Sequence, residues 1–131
     1  MSDAAPGCVV DASALLAMLH SEPGAEIVEA AIDGGAISTV NWSEVQHRSL
    51  ARGIDVAELR GDVQALGLEI APFTVEDAER AAALWRPTRS LGLSLGDRAC
   101  LALAQRLARR ALTADRTWLE LDLGIEVRTI R

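Results

Sequence analysis

A single α/β domain, with a mainly parallel twisted sheet of four or five strands and helices on both faces, is the fold this sequence predicts. Three observations point to it. Short apolar or β-branched runs alternate with helical stripes along the chain, the pattern of parallel strands joined by crossover helices. Half of the 131 residues are apolar, enough for a core covered on both sides. Several runs stop at a polar or acidic residue just where a helical pattern starts, as strands do at the carboxyl edge of such a sheet.

Taken in order, residues 1–7 are small, polar and interrupted by Pro6 and Gly7, and read as a flexible N-terminus; residues 8–131 read as the domain. Strand one covers 9–11. Apolar residues at 12, 15, 16 and 19 make the helical stripe of 12–20. Pro23 suits the first position of a second helix running to Ile32, which Gly34 and Gly35 end. Strand two covers 36–40, and helices follow over 41–52 and 55–66, closed by Gly53 and Gly67. Strand three covers 68–71 and the next helix 74–85. Residues 86–92, with Pro87 and Gly92, read as a loop. The stripe of Ala99, Leu103 and Leu107 marks a long helix over 95–108. Strand four covers 111–113, a short helix 117–121, and a last strand 125–129.

Composition excludes several functions. The net charge is −6, whereas a passive nucleic-acid binder is basic. Three tryptophans and one phenylalanine are too few for a base-stacking platform. All thirteen basic residues are arginine, so chemistry that needs a lysine is excluded. Cys8 and Cys100 lie in apolar surroundings without a CxxC pair or a His/Cys cluster, which fits small buried thiols rather than zinc ligands. No apolar run approaches a membrane span and no secretory signal is evident, so the expected location is the cytoplasm.

The acids carry the chemistry. Asp11 closes strand one, Glu44 follows strand two, Asp97 opens the long helix, and Asp115 follows strand four. An acid in a helix's first turn is also favoured by the macrodipole, and Asn41-x-x-Glu44 and Ser94-x-x-Asp97 both have capping-box spacing. Thr74-x-x-Asp77 has it too, with no function assigned to Asp77. Convergence would separate the two roles. Carboxylates about 5 Å apart repel by roughly 3 kcal/mol per pair at an effective dielectric near 20. A fold that gathers several of them calls for a compensating hard cation such as Mg²⁺ or Mn²⁺.

Four segments carry a resemblance. They are Val9-Val10-Asp11-Ala12-Ser13-Ala14-Leu15, Ser43-Glu44-Val45, Leu93-Ser94-Leu95-Gly96-Asp97-Arg98-Ala99-Cys100, and Leu112-Thr113-Ala114-Asp115-Arg116-Thr117-Trp118. Their order and spacing over residues 8–131 resemble the motifs of PIN-domain ribonucleases, the VapC-like toxins of bacterial toxin–antitoxin pairs above all. The resemblance implies a sheet with strand one central between strands two and four, and strand three at an edge. It implies a metal site for one or two Mg²⁺ or Mn²⁺ ions at Asp11, Glu44, Asp97 and Asp115. Asp11 and Asp97 are then the principal ligands, Asp115 a second-site or water-bridged ligand, and Glu44 a ligand or a base orienting water. Ser13 and Thr113 become supporting hydroxyls. The implied activity is metal-dependent endoribonuclease hydrolysis of RNA. The implied partners are a cognate antitoxin and a second copy of the chain. Arg86, Arg89, Arg98 and Arg116 are the arginines best placed along the sequence to meet RNA phosphates. His20 and His47 have no required role.

Two other classes fit parts of the pattern. A non-catalytic α/β binding module shares the fold but gains nothing from repelling acids. A Mg²⁺-dependent phospho-acceptor or phosphatase-like protein also clusters acids at a strand edge, but it wants a lysine, and the phosphatase motif wants a second Asp where Ser13 stands.

Overall fold

The computed structural model describes residues 7–131. Strand β1, Val9–Val10, lies at the centre of five parallel strands ordered β3-β2-β1-β4-β5. The others are β2 (Ala36–Ser38), β3 (Glu69–Ala71), β4 (Ala111–Thr113) and β5 (Val127–Thr129). Strand one is therefore flanked by strands two and four, with strand three at an edge. The helices are α1 (Ala12–Leu19), α2 (Ala25–Ala31), α3 (Thr39–Ala51), α4 (Leu59–Ala65), α5 (Val75–Ala83), α6 (Trp85–Thr88) and α7 (Leu95–Leu107).

Side chains alternate along each inner strand, so neighbouring residues feed opposite cores. Val10, Ile37 and Leu112 join Leu15, Leu16, Val28, Val45 and Val63 beneath α1–α4. Val9, Ala36 and Ala111 join Ala81, Leu84, Leu101, Leu103 and Trp118 beneath α5 and α7. Each fully buried leucine or valine contributes about 1.5–3 kcal/mol, so strand one is fixed from both faces. That rigidity matters because Asp11 is the next residue.

Several boundaries differ from the sequence reading. Strand two stops at Ser38, because the Ser38 hydroxyl accepts the Val40 amide and caps α3; Thr39 and Val40 are helical despite their β-branching. The second helix begins at Ala25, with Gly24 as its cap at φ 94°, so Pro23 lies outside it. α4 starts only at Leu59. Residues 86–92 are not a plain loop: α6 runs through Pro87, where a first-turn position needs no amide, and a 3₁₀ turn over Arg89–Leu91 follows. The short helix near Thr117 is a 3₁₀ turn, Arg116–Glu120. Of the expected flexible stretch 1–7, all but Gly7 lies outside the described residues.

Candidate metal and nucleic-acid site

Asp11 sits where β1 ends, 5% exposed. Its carboxylate caps α1, accepting the Ala14 amide at Oδ1 (2.8 Å). The Ser13 hydroxyl donates to the same oxygen at 2.7 Å, and the Thr113 hydroxyl donates to Oδ2 at 2.6 Å. Burial raises the Asp11 carboxyl to about 6; the hydrogen bonds from Thr113, Ala14 and Ser13 pull it down, and the charge of Asp97 pushes it up.

The two hydroxyls tie strand four to strand one. Ser13 Oγ accepts the Ala114 amide at 2.9 Å and Thr113 Oγ1 accepts the Asp115 amide at 3.1 Å. Each hydroxyl has one proton, and each gives it to Asp11. Asp115 is thereby joined to Asp11 through Thr113. Its own carboxylate is exposed and caps the 3₁₀ turn, Oδ1 accepting the Thr117 amide (2.9 Å) and hydroxyl (2.8 Å).

Asp97 reaches the same edge because α7 must descend from it to feed β4. The expected capping box is present: Ser94 Oγ accepts the Asp97 amide and Asp97 Oδ2 accepts the Ser94 amide at 2.9 Å. The box expected at Asn41 and Glu44 is absent, because α3 starts two residues earlier and both lie within it. Instead Asn41 Nδ2 donates to Glu44 Oε1 and to the Gly96 carbonyl, both at 2.9 Å. The Glu44 carboxylate lies over Gly96, where an added Cβ would stand 2.5 Å from Oε1. Asn41, fully buried, thus brings Glu44 against the turn carrying Asp97. Sequence inspection took Asn41 for a cap. A polar amide inside a helix, three residues before an acid, was the available signal.

Cys100 reports the convergence. It is fully buried in α7, and burial pushes its thiol well up, with the charges of Asp11, Asp97 and Glu44 pushing the same way. Three of the four acids therefore act on one point, while Asp115 is connected through hydrogen bonds alone. Among the described residues, no three Asp, Glu, His or Cys side chains are drawn close enough to grip an ion directly. Asp97, Glu44 and Asp115 nevertheless each engage only one carboxylate oxygen. Asn41 Oδ1 is buried with no partner. The donors are all hard oxygen atoms around a partly desolvated carboxylate, and this set fits Mg²⁺ or Mn²⁺.

The PIN domain family model matches residues 8–123. The chain belongs to the PIN domain family. Solved structures share the PIN fold along nearly the whole chain. A toxin–antitoxin complex from Klebsiella pneumoniae aligns with TM-score 0.73 and 24% identity, over 95% of this chain and 98% of that one. FitAcB from Neisseria gonorrhoeae aligns with TM-score 0.69 and 15% identity, over 94% and 97%. DNA-bound VapBC from Salmonella typhimurium aligns with TM-score 0.67 and 14% identity, over 95% and 98%. No curated protein sequence matches the chain.

The arginines nominated from the sequence fare unequally on this PIN domain. Arg98 is half-buried, and its Nη1 donates to the Ala81 carbonyl at 2.8 Å, tying α7 to the end of α5. Arg116 donates to the Arg131 carbonyl at 3.3 Å. Arg89 lies over the Trp85 ring, 5.4 Å from its centroid, and Arg86 is exposed on α6. Asp77, the acid assigned no function, is buried and held by Arg106 at 2.8 and 3.0 Å. His47 is exposed. No helix is long and apolar enough to cross a membrane.

Proposed function

We propose that this PIN domain is a metal-dependent endoribonuclease that hydrolyses RNA phosphodiester bonds, acting as the toxin of a toxin–antitoxin pair in the cytoplasm. The observation that carries the reading is the buried Asp11 carboxylate. It is fixed at the end of the central strand by the Ser13 and Thr113 hydroxyls, and Asn41 seats Glu44 against Gly96, next to Asp97.

Asp11 and Asp97 are the principal ligands of one or two Mg²⁺ or Mn²⁺ ions, with Glu44 and Asp115 completing the set. A divalent ion held there would supply Lewis-acid polarisation of the phosphate and a water of lowered pKa. The chain's own part is positional. Ser13 and Thr113 hold the Asp11 carboxylate with both oxygens oriented, as hydrogen-bonded partners of metal ligands do. Asn41 holds Glu44 through Oε1 and leaves Oε2 to accept a proton from, or orient, the attacking water. Arg86 and Arg89 on the exposed α6 segment contact RNA phosphates.

The partners proposed are a cognate antitoxin, as in the Klebsiella toxin–antitoxin complex, and a second copy of the chain. The test is incubation of total RNA with Mg²⁺ or Mn²⁺ and mapping of the ends. Cleavage by the wild-type chain and its loss in Asp97→Asn are expected; full activity in Asp97→Asn overturns the assignment of the site.

A further inference from the structure

The arginines that the fold gathers are ones the sequence did not single out. Arg48, in the last turn of α3, Arg52, its C-cap, and Arg131, after β5, surround a hollow of about 160 Å³ with Ser13, Leu16, His20 and Glu22. Arg52 meets His20 Nδ1 at 2.6 Å, which makes that nitrogen an acceptor and leaves the ring proton on Nε2. Glu22 lies 3.7 Å from Arg52 and 3.8 Å from Arg131, beyond hydrogen-bond reach, and all three side chains are at least a third exposed. Arg48 makes no ion pair among the described residues. Arg131 Nη1 also donates to the Pro23 carbonyl at 2.8 Å. Three guanidinium side chains against the single Glu22 carboxylate give the lining an excess of positive charge, in a chain whose net charge is −6.

Arg48 and Arg52 also complement the negative end of the α3 dipole. That accounts for two arginines of one helix, but not for the third, which arrives from the other end of the chain, nor for the hollow. Ser13 lines the hollow and donates to Asp11. The cationic cavity therefore adjoins the acidic site through one residue. A polymeric nucleic-acid substrate carries phosphates on either side of the bond being cut.

We propose that Arg48, Arg52 and Arg131 form a subsite for a backbone phosphate of single-stranded RNA, flanking the phosphate held at the acidic site. The inference rests on the nuclease reading for its choice of ligand. Guanidinium groups match phosphate oxygens in pairs, and the hollow accommodates one phosphate with part of its sugar. Glu22 occupies the arginines in the free protein and is displaced when the phosphate enters.

The experiment is equilibrium binding of a short labelled single-stranded RNA to the full chain in the Asp97→Asn background. A chelator is present, so that nothing is cleaved, and the salt concentration is varied. Arg48→Ala and Arg131→Ala each weaken binding by roughly fivefold and lower the salt slope by about 0.7. Glu22→Gln tightens binding, because it removes the competing carboxylate; a merely structural ion-pair network predicts no gain. Unchanged affinity and slope in all three variants overturn the proposal. So does an acidic peptide that binds these arginines more tightly than the RNA. RNA cleavage by the wild-type chain is measured separately. Absence of cleavage with arginine-dependent binding refutes the nuclease and keeps the subsite; cleavage with arginine-independent binding does the reverse.

Discussion

The Thr113 hydroxyl donates to Asp11 Oδ2 at 2.6 Å, joining residues 102 positions apart at the carboxyl ends of adjacent strands. Thr113 is fully buried and its oxygen also accepts the Asp115 amide. One side chain thus orients two of the four acids. Thr113→Val keeps the shape and removes both interactions, which costs about 1–3 kcal/mol of stability in a urea titration. Thr113→Ser restores most of it, since the hydroxyl returns.

Asp11 gives a pH dependence of definite sign. Its folded carboxyl titrates at about 6, above the ordinary 3.8, so the folded state binds more protons between those values. Burial of the charge is then a cost above pH 6 that disappears as pH falls toward 4. Without divalent ions, the stability of wild type relative to Asp11→Asn rises by about 2 kcal/mol between pH 7 and pH 4. A difference that is flat across this range contradicts the buried, ionised carboxylate.

Asp77 behaves oppositely. Burial pushes its carboxyl up, but the hydrogen bonds from Arg106 and Thr74, together with the Arg106 charge, outweigh that and hold it below the usual range. Its stabilising contribution is present above the ordinary carboxylate pKa and is lost as pH falls through the depressed folded one. Arg106→Ala leaves a buried charge unpaired and costs about 3 kcal/mol at neutral pH. Thermal unfolding checks the loss; Mn²⁺ is expected to raise Tm in wild type and in Arg106→Ala alike, because Asp77 lies away from the acids at β1 and β4.

Gly96→Ala separates the site from stability. Alanine favours a helix by about 1 kcal/mol over glycine, so the fold tolerates the change. Its methyl, however, meets the Glu44 carboxylate, 2.5 Å away in the present arrangement. Glu44 must move out of its Asn41 hydrogen bond. The expected result is an unchanged Tm without ions and weaker cleavage with Mn²⁺.

The fold was legible in the sequence where periodicity was strong. All five strands and the long α7 stripe were marked by their own residues. Boundaries were lost where a cap competed with β-propensity, as at Ser38, whose hydroxyl draws Thr39 and Val40 into α3. Strand order carries no local signal; the position of Val9 between Ala36 and Ala111 came only through resemblance. The acids were legible as residues at strand ends, since Asp11 and Asp115 follow their strands directly. Asp77 shows the limit of spacing: its capping box matches that of Asp97, and only the tertiary partner Arg106 distinguishes them. Arginines were the least legible, because a long side chain's destination is set by the fold. Arg98 goes to Ala81, while Arg48 and Arg52 at the end of α3 meet Arg131, which lies 79 residues beyond Arg52 in sequence.

Binding of Mn²⁺ to the RNA-free chain, followed by calorimetric titration, tests most directly whether the acids form one ion site. Asp97→Asn retains a carbonyl oxygen for the Ser94 amide, so its helix cap survives while its charge is lost. The account predicts Mn²⁺ binding by wild type and about 10–100-fold weaker binding by both Asp97→Asn and Asp11→Asn. Equal affinity in all three proteins would contradict it.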